Sequence, residues 1–396
     1  MKAGPQPVAV MGLPIVGLNS DEAIEALERM IVRGSTHRAC SMNLDTWLSA
    51  LADPHIHRIM AGFNLILPDG RPLKWASRIL GCPLDKRVSA ADLVHRLGAL
   101  SAQKGYKIFL LGARAGVTSR VAELLQRQHP GVQIVGTYAS VEGNPNQMDR
   151  ARILKRIHTT QPDILLVDSG DPKEEEWIWM HRNRLGVPLT MGVAGSFDML
   201  AGDVRRIPPW IQRCGLEWAM RLAQDPLRFG LHPLRNRYGL LRQLPLAFLA
   251  ARCQRTFLYQ SRVTTAVAHR VLHFHIYGRL GPESAAALQE AATTSIVNGQ
   301  VMVVHLRSAR QVTPGGFGVL LELRRQLHEA GLSLSLAGLS LKTRFLLRAW
   351  RLEQLFDEWQ PANSRSRPSA TVTQMPVRII LGGEPRVLST QTQMRG

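Results

Sequence analysis

Apolar positions along the first part of the chain, as far as Gly195, alternate between two patterns. Short continuous apolar runs, Arg38–Met42, Leu65–Leu67, KIFLLG from Lys107, VQIVGTY from Val132, DILLVDSG from Asp163 and PLTMGVAG from Pro188, read as buried strands. Between them, apolar residues recur every three or four positions, which predicts helices through about Val32, near Arg71–Leu80, and over Ser89–Gln103, Thr118–Gln128, Met148–Thr159 and Lys173–Arg184. Asn19 with Glu22 forms a capping box, and Ser89 with Asp92 three residues on predicts another helix start. Strands alternating with helices of this length predict βαβ units: a parallel sheet with helices on both faces.

A basic segment interrupted by prolines follows, from Arg205 to about Arg262. The pattern then restarts, with strands over Ala268–Ile276, Val301–Leu306 and Ser333–Leu339 and helices over Pro282–Val297, Phe317–Ala330 and Lys342–Leu352. From Gln360 the chain is rich in Ser, Thr, Pro and Gln, with little to bury. The expected organisation is an α/β core over 1–204, a basic helical appendage over 205–262, a second small α/β domain over 263–359 and a disordered tail over 360–396.

Charge sharpens this division. The net charge is +19, yet no acidic residue falls between Asp225 and Glu283, where nine arginines do. Such a block calls for an anionic partner. The four cysteines, Cys40, Cys82, Cys214 and Cys253, lie far apart without a CxxC pair, which argues against a zinc site and for a reducing cytoplasm. The apolar run Val8–Val16 is broken by Gly12 and Pro14, so a signal peptide is not expected, and no run is long enough to span a bilayer. His273 and His275 share one strand face but lack a third ligand at a recognisable spacing.

In open parallel sheets, ligands bind at the carboxyl ends of the strands. There the sequence places Ser41, Asn43, Asp69, Gly112, Gly170 and Gly195. Read singly, Asp69 before Gly70 is a turn residue and Asn43 a helix cap. G112-A-R-A-G116 is a tight turn without a full dinucleotide fingerprint or a Walker lysine, and G170-D-P-K-E-E-E-W177 is an acid-rich helix start.

In order, however, the blocks SMNLDTWLSA, LPDGRPLKWA, DKRVSAADL, IFLLGARAGV, HPGVQIVGTY, PDILLVDSGDPKEEEW, GVAGSFDMLAGDVRRIPPW and GLEWAMRLAQDPLR make the chain resemble the WecG/TagA/CpsF glycosyltransferase family over roughly residues 8–237. The resemblance implies a Rossmann-like core that moves an N-acetylmannosamine-type sugar, glucose or a related sugar, with inversion, from a UDP-sugar to a polyprenyl-diphosphate-linked acceptor. The product would enter cell-surface polysaccharide or exopolysaccharide synthesis. It implies Asp69 as the base, with Ser41 (commonly threonine in the family), Asn43, Arg87, Lys173 and Glu174 lining the pocket. It also implies that the basic segment completes the site and docks on the inner face of the cytoplasmic membrane. The leaving diphosphate needs positive charge. The chain has no D-x-D metal clamp, so Arg206, Arg221 and Arg228 are the expected counter-charges and no metal or cofactor is expected. The family's reported self-association admits a homo-oligomer.

Departures qualify the resemblance. Glu174 stands where glutamine is typical, and Asp168 where a small residue is common, implying a more acidic pocket. Ala90-Ala91-Asp92 replaces a G-S/T-D pattern. Residues 264–357 resemble a STAS domain through HFHIYGRLGPESAAAL, VMVVHLRSARQV and TPGGFGVLLELRRQLHEAGLSLSLAGL; Gly315 takes the place of the serine that is phosphorylated in regulatory members. This implies a protein-interaction module, its partner unspecified, without a phospho-switch there. The competing reading is a catalytically decayed transferase acting as a scaffold. A nucleotide-cofactor oxidoreductase lacks its glycine fingerprint, and nucleic-acid binding lacks a motif.

Overall fold

The computed structural model describes residues 6–139, 150–169, 173–202, 261–268, 271–358, 378–381 and 384–387. The apolar run near the N-terminus forms two strands, β1 (Val8–Val10) and β2 (Leu13–Ile15), separated by a turn in which Met11 and Gly12 both take positive φ. The further strands β3 (His37–Met42), β4 (Leu65–Pro68), β5 (Lys107–Gly112), β6 (Gln133–Tyr138), β7 (Ile164–Asp168) and β8 (Leu189–Gly192) lie where the apolar runs predict them. From β2 onward they pair in the order β2-β4-β3-β8-β7-β5-β6, every pairing parallel.

Strands β4, β7 and β8 are buried at every position, as a sheet covered on both faces requires. One layer holds α1 (Ser20–Val32), α5 (Ala90–Lys104), α6 (Val117–Gln128) and α9 (Ser196–Leu200), which share an apolar cluster with the strands through Leu27, Leu93, Leu97, Val121, Leu125 and Phe197. The other holds α2 (Leu44–Ala52), α3 (Pro54–Ala61), α4 (Arg71–Ile79) and α8 (Lys173–His181), with Trp47 and Trp177 fully buried. Truncating a fully buried leucine such as Leu97 to alanine costs about 2–5 kcal/mol. Helix α7 (Arg150–Thr160) packs by β6.

The capping box at α1 forms as expected, Asn19 Oδ1 accepting from Glu22 N at 2.8 Å and Glu22 Oε2 from Asn19 N at 3.0 Å. The start of α5 differs: Ser89 occupies the cap position without a side-chain hydrogen bond, and the carboxylate that receives Ala90 N belongs to Asp69.

The chain divides into two compact units, one of Ile15–Ile79 with Pro83–Arg242, the other of Met1–Pro14, Leu80–Cys82 and Gln243–Gly396. The second unit has a mixed sheet made of β9 (Ser261–Ala268), β10 (Val271–Leu280), β11 (Val301–His305), β12 (Ala309–Val312), β13 (Leu334–Ala337), β14 (Asp357–Glu358), β15 (Arg378–Leu381) and β16 (Glu384–Val387). The order is β14-β13-β11-β10-β9-β15-β16, with β12 beside β10. The expected strand over Ala268–Ile276 is β10, and a further strand, β9, runs antiparallel to it, pairing Ala266 with His273 and Thr264 with His275. Within the segment expected to be a disordered tail, β15 and β16 pair with each other, and Ile379 pairs with Arg262 of β9.

Helices α10 (Ala285–Asn298), α11 (Pro314–Glu329) and α12 (Leu341–Ala349) complete the unit, with Phe317 edge-on to Trp350 at 5.4 Å. Helix α11 begins three residues before the expected Phe317: Pro314 takes its first turn and Thr313 caps it, accepting from Gly316 N at 3.1 Å. A Cβ on Gly316 would stand 2.4 Å from Leu280 O, and one on Gly315 would stand 2.6 Å from Pro282 Cγ. The glycines at this helix start are therefore demanded by close packing. The Thr313 hydroxyl also donates to Leu280 O at 3.1 Å and is buried, so it is engaged internally.

Candidate functional site

The carboxyl ends of β3 and β4 lie side by side, Met42 paired with Pro68. Asp69 leaves β4 with its N–H bonded to Met42 O at 2.8 Å, and Gly70, at φ +82°, turns the chain directly into α4. On the other side the strand edge is joined by 87–90: Val88 N donates to Pro68 O at 3.0 Å and Ala90 N to Asp69 Oδ2 at 3.2 Å. The fully buried Ser41 hydroxyl approaches the same Asp69 oxygen at 3.5 Å. Asp69 is half-buried, held by a helix N-terminus whose dipole favours an anion. Asn43 caps α2, accepting from Thr46 N at 2.9 Å. Arg87, half-buried, sits one residue before the Val88–Pro68 bond. The fold thus gathers Ser41, Asn43, Asp69 and Arg87 at one end of the sheet, from positions far apart in sequence.

Glu174 and Asp168 are both bonded to backbone at neighbouring strand ends. Glu174 is fully buried; its Oε2 accepts from Ser169 N at 3.2 Å and its Oε1 from Ala194 N at 2.7 Å. Its carboxylate bridges the loops after β7 and β8. Asp168 is also buried, its Oδ2 accepting from Phe197 N at 2.6 Å. Both acids therefore pin the backbone of 193–197, where Ala194 sits at φ +51° and Gly195 at φ +74°. These bonds orient the two carboxylates and leave their negative charge at the strand ends. Such clamps hold a non-glycine residue in a sparsely populated conformation, a feature that clusters at functional sites. Lys173, by contrast, is exposed at the first position of α8.

The glycine-rich turn after β5 is equally constrained. Gly112 has φ +105°, and a Cβ there would stand 2.0 Å from Asp168 O. Thr118 Oγ1 returns to Gly112 O at 2.6 Å, and Arg114 pairs with Asp198 of α9 at 3.3 Å. Gly170, Arg206, Arg221, Arg228 and the basic segment 205–262 as far as residue 260 lie outside the described residues.

Sequence reasoning missed the backbone donors, the N–H groups of Ala90, Ala194 and Phe197, because no residue type announces them. Among the described residues no group of three His, Cys, Asp or Glu side chains is arranged to hold a metal ion. His273 Nδ1 and His305 Nε2 share a hydrogen bond at 2.9 Å, and the His305 ring stacks on His275 with centroids 4.1 Å apart. Cys40 and Cys82 are buried and in no disulfide, and burial pushes the Cys82 thiol up to about 12, which leaves it un-ionised near neutrality. No helix among the described residues is long and apolar enough to cross a membrane.

The profile of the "Glycosyl transferase WecG/TagA/CpsF family" matches residues 8–261. An N-acetylglucosaminyldiphosphoundecaprenol N-acetyl-beta-D-mannosaminyltransferase of Bacillus subtilis (strain 168) is 28% identical over 225 residues, 57% of this chain and 86% of the relative. A protein of the same name from Staphylococcus aureus (strain MW2) is 30% identical over 167 residues, 42% of this chain and 64% of the relative. Among solved structures, the unphosphorylated anti-sigma factor antagonist SpoIIAA aligns over 26% of this chain and 89% of its own, at 16% identity and a TM-score of 0.21. At that score the likeness carries no weight, and the second unit's architecture stands on its own strand pairing. The match over 8–261 spans the whole parallel-sheet unit from β2 to α9, including Asp69 and its neighbours, and the chain belongs to the WecG/TagA/CpsF glycosyltransferase family.

Proposed function

We propose that the chain transfers a sugar from a UDP-sugar to a polyprenyl-diphosphate-linked sugar acceptor, with inversion and without a metal ion. The observation that carries this reading is Asp69 at the carboxyl edge of β4, oriented through one oxygen by Ala90 N and Ser41 Oγ. Inverting transfer needs a base placed to take the proton of the attacking hydroxyl. Asp69 accepts that proton as the acceptor oxygen bonds to the anomeric carbon and the bond to the nucleoside diphosphate breaks. Ser41 and Ala90 keep the carboxylate in one orientation through the step. Arg87, with Lys173 and, from the segment outside the described residues, Arg206, Arg221 and Arg228, supplies the positive charge that the departing diphosphate requires. Asn43 lines the same strand end.

The names of the relatives support an undecaprenyl-diphosphate acceptor and an N-acetylmannosamine-type donor. We place the reaction on the inner face of the cytoplasmic membrane, in cell-surface polysaccharide or exopolysaccharide synthesis, with the basic segment 205–262 against anionic lipid. The scaffold reading rests on Glu174, Asp168 and the fused STAS-like domain; the two acids are bonded to backbone at the sheet edge, a use compatible with an active enzyme.

UDP release by the purified chain tests the proposal, across a panel of UDP-sugars with a short polyprenyl-diphosphate-sugar acceptor and EDTA present. Acceptor-dependent turnover with one donor, lost in Asp69→Asn, is expected. Silence across the panel, with or without divalent metal, while UDP-sugars still bind, would give the scaffold reading the lead.

A further inference from the structure

Helix α4 follows Asp69 after a single glycine, and its outer face is unusual among the described helices of the first unit. Leu73 and Ser77 point inward and are fully buried, whereas Trp75 and Ile79, one turn apart, are 43% and 62% exposed. Arg78 is exposed between them on the same face, and Arg71 lies one turn before Trp75. The helix carries Arg71, Lys74 and Arg78 and no acid. Lys74 is turned aside, its ammonium donating to Asp85 O. Large exposed apolar side chains elsewhere among the described residues of the first unit, Val32 and Met180, stand singly. A tryptophan and an isoleucine interleaved with arginines match the interface of an anionic bilayer, where an indole sits at headgroup depth and guanidinium groups meet phosphates.

We infer that the Trp75–Ile79 face of α4 docks on an anionic lipid surface, so that the helix leaving Asp69 brings that carboxylate to the plane where a lipid-linked diphosphate lies. The inference rests on the proposed transferase reading for its purpose, but not for its measurement. Charge complementarity commits it to anionic lipid: the helix is purely cationic within a chain of net charge +19.

The test uses the full chain with vesicles of phosphatidylcholine, with and without phosphatidylglycerol, read by co-sedimentation. Wild type is expected to bind only the anionic vesicles, and the pair Trp75→Ser with Ile79→Ser to bind them about tenfold more weakly or worse at an unchanged melting temperature. Trp75→Leu with Ile79→Leu, which keeps the apolar surface, should retain most of the binding, and Arg78→Gln should weaken it in low salt. UDP release on a short, soluble acceptor is expected to be unaffected by the serine pair. Equal vesicle binding by wild type and the serine pair would overturn the inference, as would the absence of binding by wild type. So would dissociation of an oligomer by the serine pair at unaltered vesicle binding, which would give the face to a second copy. A matching loss of turnover on the soluble acceptor would also overturn it. If no protein releases UDP yet vesicle binding follows the α4 face, the transferase reading fails and the surface stands.

Discussion

Asp69 Oδ2 receives the backbone N–H of Ala90, the first residue of α5, at 3.2 Å, although the two are twenty-one positions apart in sequence. One carboxylate thus ends a strand, starts a helix and stands at the proposed reacting centre. These roles separate under substitution. Asp69→Asn keeps an oxygen for Ala90 N and removes the base: turnover should fall about 10²–10⁴-fold, with UDP-sugar binding and melting temperature nearly unchanged. Asp69→Ala removes the cap as well and should cost about 1 kcal/mol in urea unfolding. Equal turnover in Asp69→Asn would remove Asp69 from the chemistry.

Glu174 gives a second, independent split. Its two oxygens each hold a backbone donor, Ser169 N and Ala194 N. Glu174→Ala leaves both buried N–H groups without this acceptor, a loss of about 2–4 kcal/mol. Glu174→Gln must turn its amide NH₂ toward one of the two donors and should lose about half as much. Denaturant midpoints of the three proteins check the order wild type, glutamine, alanine; a glutamine variant as stable as wild type would show that the clamp does not need two acceptor oxygens.

Gly112 should tolerate no side chain. At φ +105°, with a Cβ 2.0 Å from Asp168 O, Gly112→Ala meets both backbone strain and collision. The expected loss is at least about 3 kcal/mol, seen as a lowered melting temperature. An alanine variant that melts with wild type would contradict the close approach of β5 and β7 at this point.

The histidine stack of the second unit predicts an acid-side loss of stability. Burial, then the neighbouring His275 and His273, lower His305 from 6.5 to about 4, and burial lowers His273 and His275 as well. Between about pH 6.5 and 4 the unfolded chain therefore binds more protons than the folded one, so stability falls as pH falls through that window. Melting temperatures from near neutrality to about pH 5 should drop in wild type and drop less in His305→Gln. Parallel curves would mean that the stack does not titrate in this range.

Much of the parallel-sheet unit was legible because its strands are buried on both faces and read as continuous apolar runs. What escaped depended on contacts between distant segments. Ser89 is the cap residue of α5, as its position predicts, but the side-chain acceptor at the helix start comes from Asp69. The start of α11 was placed late because Gly315 and Gly316 disfavour helix in isolation. Their value lies in the approach of Leu280 O and Pro282, which no spacing rule conveys. Strand β9 was missed because its alternation of small residues, Thr264 and Ala266 against His275 and His273, gains meaning only from its antiparallel partner. At the site, the residue types at strand ends were visible, whereas the division of acids into Asp69 toward the proposed chemistry and Glu174 and Asp168 toward backbone amides was not.

The strand order also sets a length. Asp69 follows β4 and the Gly112 turn follows β5, with β3, β8 and β7 between them. At about 4.8 Å per strand, four steps separate the two by about 19 Å. A donor that touched both would have to lie across the edge of the sheet like a bar over three strand ends, its sugar toward β4 and its nucleoside toward β5. The sugar end of such a donor would then lie at the β4 end of the row, so the order of the strands, rather than any one side chain, would set the axis along which the donor is held.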